Sequence, residues 1–165
     1  MFKIIGSVLI VLSCTAFGVE KSRELSIHRK ELEELQRLFT NIHAELKYMK
    51  IPVGELFMKL RGKVGVYQEW LEFLTKNVHK CYGRTLEEVW TSSIDNYFQK
   101  TFLTKSELEE LKQIGKQIGQ PEAIRLYLIQ LENSIQNTRE EEKEKKKLYQ
   151  SMGILCGIFI VLVLI

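Results

Sequence analysis

A chain of 165 residues leaves room for one domain of ordinary size, and apolar runs at both ends claim part of that length. All 21 acidic residues, and all but Lys3 of the 24 lysines and arginines, fall between residues 20 and 151, a near balance that argues against a nucleic-acid footprint. Of the three cysteines, Cys14 and Cys156 lie inside the apolar runs and Cys81 lies between them, which speaks against an intramolecular disulfide framework.

The first apolar run, residues 2–19, is broken only by Lys3 and a few small polar residues, and approaches the roughly 20 residues that span a hydrocarbon core. A basic start followed by Val11-Leu-Ser-Cys14 also resembles a lipoprotein cleavage site, so an exported or lipid-anchored helical adaptor is the alternative. Ala16, Phe17 and Val19 carry the apolar character past Cys14, which suits a spanning helix better.

From Leu25 the apolar residues follow a seven-residue cycle. Leu25, Leu32, Phe39 and Leu46 form one row, and Leu35, Ile42 and Met49 the other, with His28 in its first slot. The pattern predicts a long amphipathic helix that Pro52 ends. Residues 53–60 read as a short helix stopped near Gly62, and Tyr67, Trp70, Leu71, Leu74 and Val78 mark another that ends by Gly83. Thr85-Leu-Glu-Glu88 and Thr104-Lys-Ser-Glu107 both match the capping box, so helices start near 86 and 105. After Gly119-Gln-Pro121 a last helix carries Ile124, Leu128, Leu131 and Ile135 at steps of four and three.

Residues 21–49 and 122–150 are arms of equal length, about 43 Å each at ~1.5 Å per residue, which places Pro52 and Pro121 at similar heights and implies one elongated bundle. The aromatic residues Phe57, Tyr67, Trp70, Phe73, Trp90, Tyr97, Phe98 and Phe102 gather between the prolines and read as core rather than a ligand pocket. No segment shows the alternation of a strand.

The last run, residues 152–165, is about 21 Å as a helix against a ~30 Å hydrocarbon core, so Leu148 and Tyr149 enter the membrane too or the bilayer thins. The expected organisation is a transmembrane helix over 2–19, a helical domain over 20–151 and a second transmembrane helix over 152–165. Lys21, Arg23, Arg29 and Lys30 follow the first run, and Arg139, Lys143, Lys145, Lys146 and Lys147 precede the second, which orients the middle domain to the cytoplasm.

Candidate chemistry is sparse. Gly115-Lys116-Gln117 lacks the hydroxyl and upstream glycine of a phosphate loop, and Gly115 and Gly119 fit better as small residues for close helix approach. His28, His43 and His79 show no metal-ligand spacing, and His79 with Cys81 diverge on a helix. His43 as a phosphotransfer residue has no supporting sequence around it. Catalytic, cofactor and metal expectations are therefore none.

In the run from Arg139 to Lys147, Glu141 and Glu142 precede Lys145 and Lys146 by four residues, the favourable order for helical ion pairs, and the lysines sit beside the membrane run within reach of anionic headgroups. Gly153 and Gly157 form a Gly-x-x-x-Gly step for membrane-helix packing, with Cys14 and Gly18 a weaker one. Lys59, Arg61, Lys63, Lys80 and Arg84 are the basic residues of the segment between the prolines that a partner would meet.

This layout resembles the stage III sporulation protein AB family of endospore-forming bacteria. The resemblance rests on Glu45-Leu-Lys-Tyr48 followed by Pro52 and Glu55, on Leu111-Lys-Gln-Ile-Gly115 with Gly119, on Gly153 with Gly157 before an apolar end, and on the opening Phe2-Lys-Ile-Ile-Gly6. Gln120-Pro121-Glu122 departs from the polar acidic turn that the family often carries. The resemblance implies an all-α fold, an antiparallel six-helix bundle similar to the GspF domain of type II secretion and pilus platform proteins. It further implies a non-enzymatic scaffold in a channel complex of the mother-cell or outer forespore membrane. Its implied partners are the stage III sporulation ATPase (protein AA), other channel subunits and further copies of itself, with no nucleic acid.

Overall fold

The computed structural model describes residues 2–49, 51–60, 62, 65–78 and 85–164. Among them are six α-helices, one π-helical segment and no strand: α1 (Phe2–Ala44), the π segment (Glu45–Met49), α2 (Val53–Leu60), α3 (Gln68–Val78), α4 (Leu86–Tyr97), α5 (Lys105–Gly115) and α6 (Pro121–Leu164). The helix starts expected from sequence are met closely, as is the stop near Gly62, whereas the stop expected by Gly83 lies outside the described residues. Pro52 stands just ahead of α2, its carbonyl accepting from the Glu55 and Leu56 amides at 3.0 and 3.1 Å. Gly62 takes φ 78° after α2, a left-handed conformation that glycine adopts without strain. Both capping boxes form, Thr85 with Glu88 and Thr104 with Glu107, satisfying orphan donors at the starts of α4 and α5.

The chain divides into two compact units, Lys30–Ile135 and the pairing of Met1–Arg29 with Gln136–Ile165. In the first, successive helices α2, α3, α4 and α5 pack on one another. The parts of α1 and α6 within it run antiparallel, since Gln36 bonds Glu132 while Phe39, further along α1, meets Tyr127 edge-on at 4.7 Å. Its core holds Leu32, Leu35, Phe39 and Ile42 of α1, Ile124 and Leu131 of α6, and a chain of aromatic rings between them. Each such side chain withdrawn from water contributes about 1.5–3 kcal/mol.

Trp70 and Trp90 meet edge-on at 4.9 Å, and Trp70 meets Phe98 at the same separation. Their polar atoms are served inside the core. The Trp70 indole donates to Ser93 Oγ at 2.7 Å, and that hydroxyl donates to the Trp90 carbonyl at 2.6 Å. Glu31, buried on α1, accepts the Phe102 amide at 2.7 Å, and its carbonyl accepts the Tyr67 hydroxyl at 3.0 Å, which ties α3 and the α4–α5 connection to α1. Of the aromatics expected in the core, Tyr97 and Phe102 instead lie at the surface, 38% and 44% exposed.

In the second unit α1 and α6 also run antiparallel. Glu142 bonds both Ser26 and Arg29, the guanidinium at 2.7 Å, while Lys21, earlier on α1, lies near Tyr149, later on α6. The sequence paired Glu142 with Lys146 along α6; it reaches across to α1 instead, and only Glu141 with Lys145 forms the expected bond, at 2.6 Å. Among the described residues no helix is long and apolar enough to cross a membrane.

Candidate docking surface

The first long helix does not continue regularly to Pro52. Proline has no N–H for the Tyr48 carbonyl four residues back, and its ring would press on that carbonyl, so the last turn loosens before the chain breaks. The result is the π segment Glu45–Met49. Its wider turn puts each following side chain short of its α-helical bearing, and π turns concentrate at functional sites. Met49, assigned by the heptad cycle to the buried seam, is consequently 62% exposed, and Tyr48 is 76% exposed.

Beside this turn the structure opens a notch of about 510 Å³, lined by Leu46, Lys47, Ile51, Gly119, Pro121 and Glu122. It unites the two proline-bounded ends expected at similar heights. Lys47 Nζ stands 5.7 Å from the centre of the Tyr48 ring, a cation–π contact on the same rim. Glu45 at the start of the turn pairs with Lys59 of α2 at 2.6 Å.

A smaller groove of about 190 Å³ lies between α5 and α6, walled by Glu110, Gln113, Gln117, Tyr127 and Gln130 with Leu126 exposed at its edge. The Tyr127 ring is buried and its hydroxyl has no hydrogen-bond partner among the described residues.

Groups with displaced pKa values lie in the core and in ion pairs rather than in these concavities, Tyr127 at the groove excepted. Burial first, then Glu31 and Glu34, pushes the Tyr67 phenol up; burial and Glu110 do the same to Tyr127. Lys112 is held up by hydrogen bonds to Asp95 and Glu109, bridging α4 and α5. Among the described residues no group of three or more His, Cys, Asp or Glu side chains is placed to hold a metal ion.

Of the basic residues that the sequence offered to a partner, Lys59 is engaged by Glu45, and Arg61, Lys63, Lys80 and Arg84 lie outside the described residues. Gly153 and Gly157 lie on α6, with their surroundings likewise outside that set. Sequence reasoning missed the exposed Tyr48 and Met49 and the notch. The signal was Pro52 itself, whose effect on the preceding turn falls on residue 48.

The profile of the stage III sporulation protein AB family matches residues 3–165. The chain belongs to that family. Among curated proteins it is similar to stage III sporulation protein AB of Bacillus subtilis (strain 168), with 24% identity over 175 residues that cover 99% of each chain. No solved structure matches.

Two segments that carried the resemblance to the sporulation family have structural roles here. Glu45–Tyr48 forms the π turn and its ion pair to α2. Leu111 and Gly115 seat Trp90, the first by its carbonyl and the second by lacking a side chain.

Proposed function

We propose that this sporulation protein is a non-enzymatic membrane platform component of a channel or secretion-like complex between mother cell and forespore, docking a cytoplasmic secretion-type ATPase. The observation that carries the docking half is the π turn. A tyrosine and a methionine stand exposed beside an open notch, and adaptable apolar and aromatic side chains of this kind anchor protein partners.

Membrane attachment rests on the two terminal runs. Residues 2–19 carry Lys3 as their one charge and residues 152–165 carry none, and 2–19 and 152–164 belong to helices, the form in which a chain satisfies its backbone in hydrocarbon. Most side chains of these runs lie outside the described residues, so it is their sequence that supports the reading. The Gly153 and Gly157 step would let the second run pack closely against another membrane helix.

Capture from sporulating cells with the full chain as bait tests this. The expected result is recovery of an ATPase of the secretion type, weakened at least tenfold by Tyr48→Ala with Met49→Ser while helicity is retained. Recovery of no ATPase or channel subunit overturns the docking reading. A topology reporter fused after Gln120 checks the compartment, and activity on the far side of the membrane overturns the cytoplasmic assignment.

A further inference from the structure

Where α1 and α6 leave the apolar runs, the structure sorts the charged side chains into two groups. Lys21 is taken up by Glu24 at 2.8 Å, Lys145 by Glu141 at 2.6 Å, and Glu142 by Ser26 and Arg29. Arg23, Lys143, Lys146 and Lys147 are exposed and have no ion pair among the described residues. The three lysines stand at i, i+3 and i+4, one face of α6. Glu142 spends its hydrogen bonds on Ser26 and Arg29, although its charge and that of Lys146 still act on each other through space.

Height along the helices matters as much as charge. Lys147 precedes the start of the apolar run at residue 152 by about 7.5 Å and Lys146 by about 9 Å; Arg23 follows residue 19 on α1 by about 6 Å. The headgroup layer reaches ~5–7.5 Å beyond a ~30 Å hydrocarbon core, so Arg23 and Lys147 lie within it and Lys146 at its outer edge, the two lysines closer still where Leu148 and Tyr149 enter the membrane. Lys143, one turn further out at about 13.5 Å, remains close enough to act through space across a Debye length.

We propose that Arg23, Lys146 and Lys147, supported by Lys143, form a binding surface for anionic phospholipid headgroups, so that this end of the protein selects acidic lipid and is not merely embedded. The proposal rests on the membrane-anchored reading above. Four cations near the surface attract acidic lipid, and the exposed Glu140 and Glu144 on the same stretch hold the expected preference to about three- to tenfold over neutral lipid.

The test uses the full chain reconstituted in phosphatidylcholine vesicles with a trace of spin-labelled lipid, either phosphatidylglycerol or phosphatidylcholine. Electron spin resonance then gives the fraction of each lipid immobilised at the protein. The expected result is a three- to tenfold preference for phosphatidylglycerol, falling toward one in 1 M salt and in the R23Q/K143Q/K146Q/K147Q variant. Equal immobilisation of both lipids by the natural chain, or a preference the variant retains, overturns the proposal. Flotation with neutral vesicles separates the two claims: a chain that fails to float refutes the anchorage, whereas one that floats without lipid preference refutes only the headgroup surface.

Discussion

Trp90 lies flat against Gly115: a Cβ placed on that glycine would stand 2.1 Å from the indole Cδ1, and the indole N–H donates to the Leu111 carbonyl at 2.8 Å one turn earlier on α5. Gly115 therefore does not serve helix stability, since glycine costs about 1 kcal/mol against alanine within a helix. It makes room for one of the two indole rings of the core. That ring in turn touches Phe39, Phe57 and Trp70, so α5 is located by a single missing side chain.

Gly115→Ala should accordingly destabilise the protein by about 1–3 kcal/mol, against the helix propensity of the new residue. The obstacle is a rigid ring plane in a filled core rather than the mobile end of a chain. Urea denaturation followed by circular dichroism measures it. In a Trp90→Phe background the penalty for Gly115→Ala should shrink, because a smaller ring can withdraw. An unchanged penalty in both backgrounds would show that something other than the indole resists the methyl group.

The two buried tyrosines make a second, contrasted pair. Tyr67 donates to the Glu31 carbonyl, while the Tyr127 hydroxyl lies buried with no partner among the described residues. Removing a hydroxyl that makes a bond costs about 0.5–1.5 kcal/mol, whereas removing one that is buried and unsatisfied returns its desolvation penalty. Tyr67→Phe should lower stability by that amount, and Tyr127→Phe should leave it unchanged or raise it by about 1 kcal/mol. Parallel denaturation curves of the two variants check the ordering, which reverses if Tyr127 forms a bond in solution.

Most of the helix plan was legible in the sequence because its boundaries are set by local chemistry. Thr85 and Thr104 with their glutamates, Pro121 at a helix start and Gly62 at a stop each act within a few residues of themselves. The rows of the first arm were legible as far as Leu46 for the same reason. Met49 failed because the π turn changes the period on which the heptad argument rests. Leu38 and Tyr127 are buried outside the rows read from sequence, since the aromatic cluster widens the seam that a two-row pattern assumes. Glu142 could not be read because two partners competed for it, and only the pairing of α1 with α6 decides for Arg29. The notch required two segments far apart in sequence, 46–51 and 119–122.

Alkaline behaviour follows from Tyr67 and Tyr127 together. Burial, aided by nearby carboxylates, raises both phenols above the ~10 at which an unfolded tyrosine ionises. Below about pH 10 folded and unfolded states hold the same protons and these groups add no pH dependence. Above it the unfolded chain releases protons that the folded chain retains, so stability falls as pH rises, by about 1.4 kcal/mol per pH unit for each phenol. Of the six tyrosines, phenolate absorbance should show these two appearing only as the protein unfolds. Tyr67→Phe and Tyr127→Phe should each remove one late-ionising group, and a titration in which every tyrosine ionises near pH 10 with helicity intact contradicts the assignment.

At the acid end Glu142 sets the corresponding limit. Burial works to raise its carboxyl, but the Ser26 hydroxyl and the Arg29 guanidinium outweigh it and hold the group below the usual glutamate range. A folded value lower than the unfolded ~4.3 means that the pair contributes fully above that pH and is lost as pH falls through the folded value. Glu142→Gln should cost about 1 kcal/mol at pH 7, a figure kept small by partial solvent exposure, and nothing once the natural carboxylate is itself protonated. Thermal midpoints of the full chain in detergent, taken at pH 7, 5 and 3, should therefore converge between the natural protein and the variant only below about pH 4. Equal separation at all three values would mean that Glu142 packs α1 against α6 by its shape and not by its charge.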